Sequence, residues 1–327
     1  MYFRSLGEME YHAYDLKSKN EIVAHEFNKI APYHLNNQEI RNQLQSGGHK
    51  MNIKNFENET RKFVANNGNF HVLEYMQDSS VSPANASTEY FMSKMGVHRR
   101  QVAIELDDNH SAIIQAGAMQ WMAGNVNATT GVKGVGDLLG KIVKGAVTGE
   151  SAIKPEYVGN GWLVLEPTYK YIILVDVAEW GAGMTIEDGM FYACSGTVKT
   201  SVVARKNFSS AALGGEGLFN LSLSGSGVAA LESNVPYNEL IEVDLNNDTL
   251  KIDGNLAVCW SSNLEFTVER TTKTLIGSAA SGEGLVNVYR GTGKVLMSPV
   301  APTSSLYAAT NTIAAKAAAI TSNTLGK

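Results

Sequence analysis

One glycine-rich pattern occurs three times in this chain of 327 residues and constrains its fold more than any other feature. Each copy has Gly-Glu, a short apolar or alternating run, a Gly-x-Gly element and a second apolar run. The copies begin at Gly149, Gly215 and Gly282, at intervals of 66 and 67 residues. Glycines at strand ends are typical of tight turns with positive φ. The sequence therefore predicts a mainly β fold built from internal repeats.

The repeats predict how the domain is organised. Alternating apolar residues over 51–300 indicate a β domain with repeats at about 102–167, 171–233 and 240–299. We expect a pseudo-threefold arrangement, because three sheets around one axis bury their inner faces and leave few free edges. Short helices are predicted only at the termini and in an insertion of the first repeat. The stretch SSVSPANASTEY (79–90) is predicted to be a loop, since it combines Pro83 with Ser and Asn.

Three segments depart from this pattern. Residues 1–50 are polar and predict a helical or disordered extension, and residues 301–327 predict an Ala-rich helix or tail. The insertion at 132–148 has apolar residues at the spacing of one helical face, flanked by lysines. That face either packs on the β body or docks on a subunit or a membrane surface. We favour packing or subunit contact over the membrane.

Charge and cysteine content limit the partners. Acidic residues outnumber basic ones by 32 to 27, which argues against a nucleic-acid surface. Two cysteines cannot form a disulfide framework, and the chain has neither an apolar run of about 18 residues nor a leader pattern. We therefore expect a cytoplasmic protein.

The repeated glutamates Glu150, Glu216 and Glu283 are the candidate ligand-binding residues. If they met at a shared axis, mutual repulsion would raise their pKa values, and the site would need a cation or a basic partner. Alternatively, each carboxylate accepts backbone N–H bonds and closes its own turn. We expect no metal and no cofactor.

A second group of residues is interpreted as structural. The glycines predicted to form turns are Gly117, Gly149, Gly189, Gly215, Gly227, Gly254, Gly282 and Gly293.

The cysteines and histidines offer little for catalysis. Cys194 and Cys259 each lie five residues after a repeat glycine, as does Met122, so all three are predicted to fill one core position. No histidine follows His110, and the earlier ones look scattered, so we expect no imidazole-based centre.

The elements TGESAI, GGEGLFNLSLSGSG, ASGEGLVNVYRGTG and IQAGAMQWMAGNV resemble the mitochondrial-biogenesis family named for altered inheritance of mitochondria protein 24. The resemblance extends from about Val102 to Pro299. It implies a β fold similar to that of the tryptophan RNA-binding attenuation protein, with internal repeats and a tendency to oligomerise. It implies no catalytic residue, and the likeness to an RNA-binding fold does not make this an RNA-binding protein.

The sequence favours two functions over a third hypothesis, that of an enzyme. The first is a non-enzymatic scaffold or interaction protein that associates with itself and with an unknown protein partner. The alternative is a small-ligand or glycan-binding module that uses turns at one end of the repeat body.

Overall fold

The computed structural model describes residues 53–129, 154–204, 219–270 and 285–301. These ranges hold sixteen strands, one α-helix and two 3-10 turns at 177–180 and 237–239. The helix, α1, spans Ala86–Lys94. The strands are β1 Arg61–Asn67, β2 Phe70–Tyr75, β3 Arg100–Leu106, β4 Ala112–Ile114, β5 Met119–Thr129, β6 Glu156–Leu165, β7 Tyr171–Asp176, β8 Met184–Ile186, β9 Phe191–Ser195, β10 Lys199–Ala204, β11 Phe219–Ser224, β12 Val228–Ser233, β13 Ile241–Asp253, β14 Ala257–Ser261, β15 Glu265–Arg270 and β16 Leu285–Met297. No helix within these ranges is both long and apolar enough to cross a bilayer.

The strands form two sheets in which the described pairings are antiparallel. The nine-stranded sheet has the order β1-β2-β3-β6-β4-β9-β12-β7, and β5 joins it through β6. The seven-stranded sheet has the order β10-β11-β8-β14-β16-β13, and β15 joins it through β16. The end strands β1 and β7 of the first sheet approach each other, so this sheet curls into a near-barrel. The prediction of a mainly β fold is confirmed.

Hydrophobic clusters lie on both faces of the nine-stranded sheet, and a further cluster lies in the seven-stranded sheet. Alternate residues of a strand point to opposite faces, so neighbours along β3 separate. Ile104 packs in the larger cluster inside the curled sheet. Ala103 packs on the other face with Phe63 and Trp162. This second face positions His71, because His71 is paired with Ala103 across the β2–β3 ladder.

The same antiparallel pairing of two strands, which we call a joint, occurs twice along the chain. Strand β4 pairs with β9, and Ile113 lies opposite Cys194. Strand β8 pairs with β14, and Thr185 lies opposite Trp260. Among the described strands β13 and β5 are not paired with each other, so closure of three repeats around an axis stays a prediction.

The predicted loop at 79–90 is wrong in its second half, because α1 begins at Ala86. Glu89 lies in the first turn of α1 and Lys94 in the last, which is the charge order that the helix dipole favours. None of its side chains is buried. Polar contacts therefore hold the helix to the sheet. The sequence of the helix has no hydrophobic periodicity from which it could have been predicted.

Candidate functional site

Several residues singled out from the sequence lie outside the described ranges. These are Glu150, Glu216, Glu283, Gly149, Gly215, Gly282 and the insertion at 132–148. That the three carboxylates meet at a shared axis therefore stays a prediction.

The described glycines among those predicted to form turns differ in what a Cβ atom would meet. Gly117, Gly189 and Gly254 have φ of 80°, 74° and 71°, and a Cβ atom there would meet nothing within 4 Å. Gly227 has φ of 134°, and its Cβ would lie 2.8 Å from Ser195 Cβ. Gly293 does not fit the prediction of a turn with positive φ, because it lies inside β16 and is not among the positive-φ glycines. Its Cβ would lie 2.8 Å from the Cβ of Ser261, so close backbone approach requires this glycine.

The alignment of Cys194 with Cys259 is wrong by one residue. Equivalent positions can be found from the strand that follows each Gly-x-Gly element. The residues two positions after the last glycine are Leu163, Ala229 and Val295, and their partners on the neighbouring strands are Met122, Cys194 and Trp260, respectively. Trp260 is therefore the equivalent of Cys194. The shift arises because the positive-φ glycine of the third copy, Gly254, comes one residue earlier in its turn.

The two cysteines lie in the core, and Met122 does not. Both thiols are fully buried, and burial raises the pKa of Cys194 to about 12 and that of Cys259 well above its usual range. Met122 is 45% exposed, because its strand β5 has a described neighbour on one side only.

A polar cavity lies where four turns of the nine-stranded sheet region meet. It has a volume of about 650 Å³. Its walls come from the turns around 68–69, 107–111, 195–197 and 226–228, with Glu105 and His71 contributing from β3 and β2. We call it the turn pocket. A volume between about 300 and 1,000 Å³ is usual for sites that bind small molecules.

The walls of the turn pocket are fixed by their own hydrogen bonds. Asp107 Oδ1 accepts the backbone N–H groups of Asn109 at 2.8 Å and His110 at 2.9 Å, and it lies 2.7 Å from His110 Nδ1. Thr197 donates its hydroxyl to the Ser226 carbonyl at 2.7 Å, which ties two turns together. The pocket is therefore shaped by the protein alone.

Asp107 is the carboxylate in the wall of the turn pocket whose charge state the structure defines. Desolvation raises its pKa, but hydrogen bonds from the side chain of His110 and from the backbone of Asn109 lower it by more, so the net pKa lies below the ordinary value. The Asp107 carboxylate is therefore anionic at neutral pH, and the wall it belongs to is acidic.

His71 is the unusual residue of the turn pocket. Its side chain is 2% exposed, and neither ring nitrogen has a hydrogen-bond partner among the described residues. The rings of Phe63 and Trp162 lie 5.7 Å from it, centroid to centroid. Burial lowers the pKa of His71 to about 4, so the imidazole is neutral at pH 7. Unpaired buried polar atoms are rare and call for a functional or structural reason.

The expectation that the histidines are scattered is wrong for two of them. His71 and His110 both line the turn pocket, together with Ser195 from the second repeat. A count of histidines along the chain could not reveal this, because the fold brings together His71 and His110, which are 39 residues apart, and Ser195, which lies 85 residues after His110. Within the described residues no hydroxyl is hydrogen-bonded to either imidazole, and no group of three or more His, Cys, Asp or Glu side chains could hold a metal.

Two strand edges that have no partner among the described strands form the second candidate surface. The repeats also show which residues are equivalent on the opposite edge. The residues four positions before the last glycine of each Gly-x-Gly element pair with Ala112, Met184 and Leu250. Lys251 is therefore the equivalent of Ile113 and Thr185, just as Met122 is the equivalent of Cys194 and Trp260. The residues equivalent to Met122 and Lys251 face each other in the two joints that the chain makes.

The backbone groups of Met122 and Lys251 point toward these open edges. In the first joint, Gln115 N–H donates to Tyr192 O at 2.9 Å and Gly196 N–H donates to Ser111 O at 2.8 Å. In an antiparallel ladder, two such bonds lie on either side of a residue pair whose N–H and C=O groups hydrogen-bond to each other. Here that pair is Ile113 and Cys194. By equivalence, Met122 and Lys251 direct their backbone N–H and C=O groups away from β6 and β16.

Comparison with known proteins gives one family. A family model described as mitochondrial biogenesis AIM24 matches residues 94–300. An uncharacterized protein of Streptococcus pyogenes serotype M6 is 30% identical over 202 residues, which cover 59% of this chain and 79% of that protein. A crystal structure of a Streptococcus pyogenes protein from a structural genomics consortium is 26% identical, with a TM-score of 0.49, and the match covers 65% of this chain and 93% of that one.

Proposed function

This chain belongs to the mitochondrial biogenesis AIM24 family, and we propose that it is a non-enzymatic scaffold that associates with copies of itself. One observation carries the proposal. The joint between equivalent strands is made twice within the chain, and a third pair of equivalent edges, on β5 and β13, is left unpaired among the described strands. Unpaired strand edges are templates for pairing with another chain.

The proposed association is head to tail, with β13 of one copy beside β5 of the next. Such an interface uses two different surfaces, so repeated association closes into a ring or continues as a filament. Pairing would also cover Met122, whose equivalents Cys194 and Trp260 are 0% and 2% exposed. The proposal includes three repeats at 102–167, 171–233 and 240–299, arranged as in the tryptophan RNA-binding attenuation protein but with the third joint made between chains.

Proline variants test this arrangement. Met122→Pro and Lys251→Pro each remove one outward N–H on an edge strand, where proline is tolerated within a chain. Sedimentation velocity should find the wild-type protein in assemblies and each variant monomeric. An equimolar mixture of the variants should form a dimer and nothing larger, because each variant keeps the edge that the other has lost. Met122→Ala and Lys251→Ala keep the N–H groups and should assemble like wild type.

Two results would contradict the proposal. One is a wild-type chain that sediments as a monomer at every concentration tested. The other is a pair of proline variants that melt cooperatively and still form wild-type assemblies.

The remaining parts of the proposal concern chemistry and location. We place no catalytic step in this chain, since the raised pKa values of Cys194 and Cys259 keep both thiols protonated. We propose a cytoplasmic location and a protein partner, with no nucleic acid, in keeping with the net charge of −5. Contact of the insertion at 132–148 with a membrane surface is the less favoured role for that segment.

A second candidate function is the binding of a small molecule. It is favoured by His71, a buried side chain with two unpartnered ring nitrogens in the lining of the turn pocket. The turn pocket and the two strand edges involve different residues, so the two functions can be tested separately.

A further inference from the structure

The turn pocket combines three features that together define a class of ligand. It is a preformed cavity, its wall is acidic, and one neutral polar side chain in its lining is unsatisfied. We propose that the turn pocket binds a neutral, hydroxyl-rich small molecule, a monosaccharide or a polyol of similar size, with His71 as its central hydrogen-bonding residue. The inference rests on the second candidate function and specifies its ligand.

The charge of the wall excludes anionic ligands. Glu105 and Asp107 line the cavity, and Asp107 is anionic at neutral pH. None of the described lining residues is Lys or Arg, which phosphate and carboxylate groups require for tight recognition. A phosphorylated ligand would therefore be repelled. Carboxylate oxygens only accept hydrogen bonds, so they suit a ligand that presents O–H groups.

The state of His71 selects hydroxyls over other neutral groups. A neutral imidazole has one N–H donor and one bare nitrogen that accepts. A hydroxyl can donate and accept, so it can pair with either ring nitrogen whichever tautomer is present, and hydroxyls on different parts of a polyol can pair with both. An apolar ligand would leave both nitrogens unpaired, and an ammonium group could use only the bare one. A ligand with several hydroxyls is therefore the kind that can supply hydrogen-bond partners to the ring nitrogens of His71.

The turns around the cavity are held in place before any ligand arrives. A Cβ atom on Gly196 would lie 1.8 Å from Ser111 Oγ and 2.8 Å from Glu156 Oε1, so the turn at 195–197 packs directly on the turn at 107–111. Ser111 in turn donates to Glu156 Oε1 at 2.7 Å. A rigid wall lowers the ordering cost of binding, which matters for a small and weakly held ligand.

The test uses the full chain and saturation-transfer NMR with defined probes. The neutral probes are glucose, galactose, mannose and glycerol; glucosamine is the cationic probe and glucose 6-phosphate the anionic one. At least one neutral probe should give saturable transfer and should quench the fluorescence of Trp162, whose ring is 5.7 Å from that of His71. His71→Phe should weaken this binding at least tenfold, and glucose 6-phosphate should bind at least tenfold more weakly than glucose.

A matched variant separates ligand contact from packing. Phe63→Leu alters the same cluster around His71 and Trp162 but does not line the cavity, so it should keep the wild-type affinity within about twofold. Asp107→Asn, which removes one of the two carboxylates in the wall, should weaken neutral binding and reduce the discrimination against glucose 6-phosphate. The proposal falls if no neutral probe saturates, if glucosamine or glucose 6-phosphate binds most tightly, or if Phe63→Leu loses as much affinity as His71→Phe. None of these results bears on self-association, which the proline variants measure.

Discussion

The hydroxyl of Ser195 accepts a hydrogen bond from the backbone N–H of Val228 at 3.0 Å. This bond ties the end of β9 to the start of β12 and brings Gly227 against Ser195. Ser261 makes the equivalent bond with the backbone N–H of Lys294, also at 3.0 Å. A serine hydroxyl and a glycine without a side chain therefore form one packing unit that occurs at two places.

Substitutions at two glycines should separate close approach from backbone conformation. Gly227→Ala adds a Cβ within 2.8 Å of Ser195 and Thr197 at positive φ, and it should lower the free energy of unfolding by more than about 2 kcal/mol. Gly117→Asn, at φ of 80° with open space, should cost less than about 1 kcal/mol, because Asn tolerates the left-handed region. Urea unfolding measures both. Equal losses of unfolding free energy in the two variants would mean that the close approach to Ser195 does not contribute to stability.

The burial of His71 predicts how stability depends on pH. Its pKa is about 4 in the folded chain against 6.5 in the unfolded one, so only the unfolded chain takes up a proton between these values. The contribution of His71 is therefore complete above pH 6.5 and is lost as the pH falls toward 4, by up to about 3 kcal/mol. Urea unfolding at several pH values should show this loss in wild type and a smaller one in His71→Phe.

Phe63→Leu is the control for that experiment. It disturbs the same cluster without removing a titrating group, so it should lower stability by a similar amount at every pH. If the difference in stability between wild type and His71→Phe did not change between pH 7 and 4.5, the conclusion that His71 is a buried, neutral imidazole would be wrong.

The start of the folded domain should depend on Phe56. Its ring lies 5.3 Å from that of Phe63 and 5.5 Å from those of Trp121 and Trp162. A fragment of residues 51–327 should therefore melt cooperatively and close to the full chain. A fragment of residues 61–327, which lacks Phe56, should lose about 1 to 3 kcal/mol. If both fragments melt alike, the aromatic contact does not contribute, and if residues 51–327 do not fold, the polar extension belongs to the domain.

Helix α1 should depend on the side chain of Tyr169. The Tyr169 hydroxyl donates to Glu89 Oε1 at 2.6 Å and accepts from Arg99 Nε at 2.9 Å. Because α1 buries no side chain, Tyr169→Phe should speed amide hydrogen exchange over 86–94 and leave the global unfolding free energy nearly unchanged. Tyr90→Phe, on the exposed face of the same helix, is the control and should exchange like wild type. Unchanged exchange in Tyr169→Phe would place the attachment of α1 elsewhere.

Sequence periodicity determined the fold class, and the family match confirms the identification made from the glycine-rich motifs. The strands around Phe70 and Val102 followed from alternation, because the period of two directly reflects which face of a sheet is buried. Helix α1 did not follow, since it buries no apolar face and thus leaves no period of 3.6 in the sequence. The one-residue error between Cys194 and Cys259 shows the same limit, because a turn can move its glycine by one position without changing the composition.

The turn pocket was decided by tertiary structure alone. His71, Asp107, Ser195 and Gly227 lie in four separate turns or strands, and no spacing rule connects them. The antiparallel pairings of β2 with β3 and of β4 with β9 bring them to the same end of the sheet. Local propensity fixes which residues form strands and turns, whereas strand order fixes which turns become neighbours, and strand order is set by the packing of the whole core.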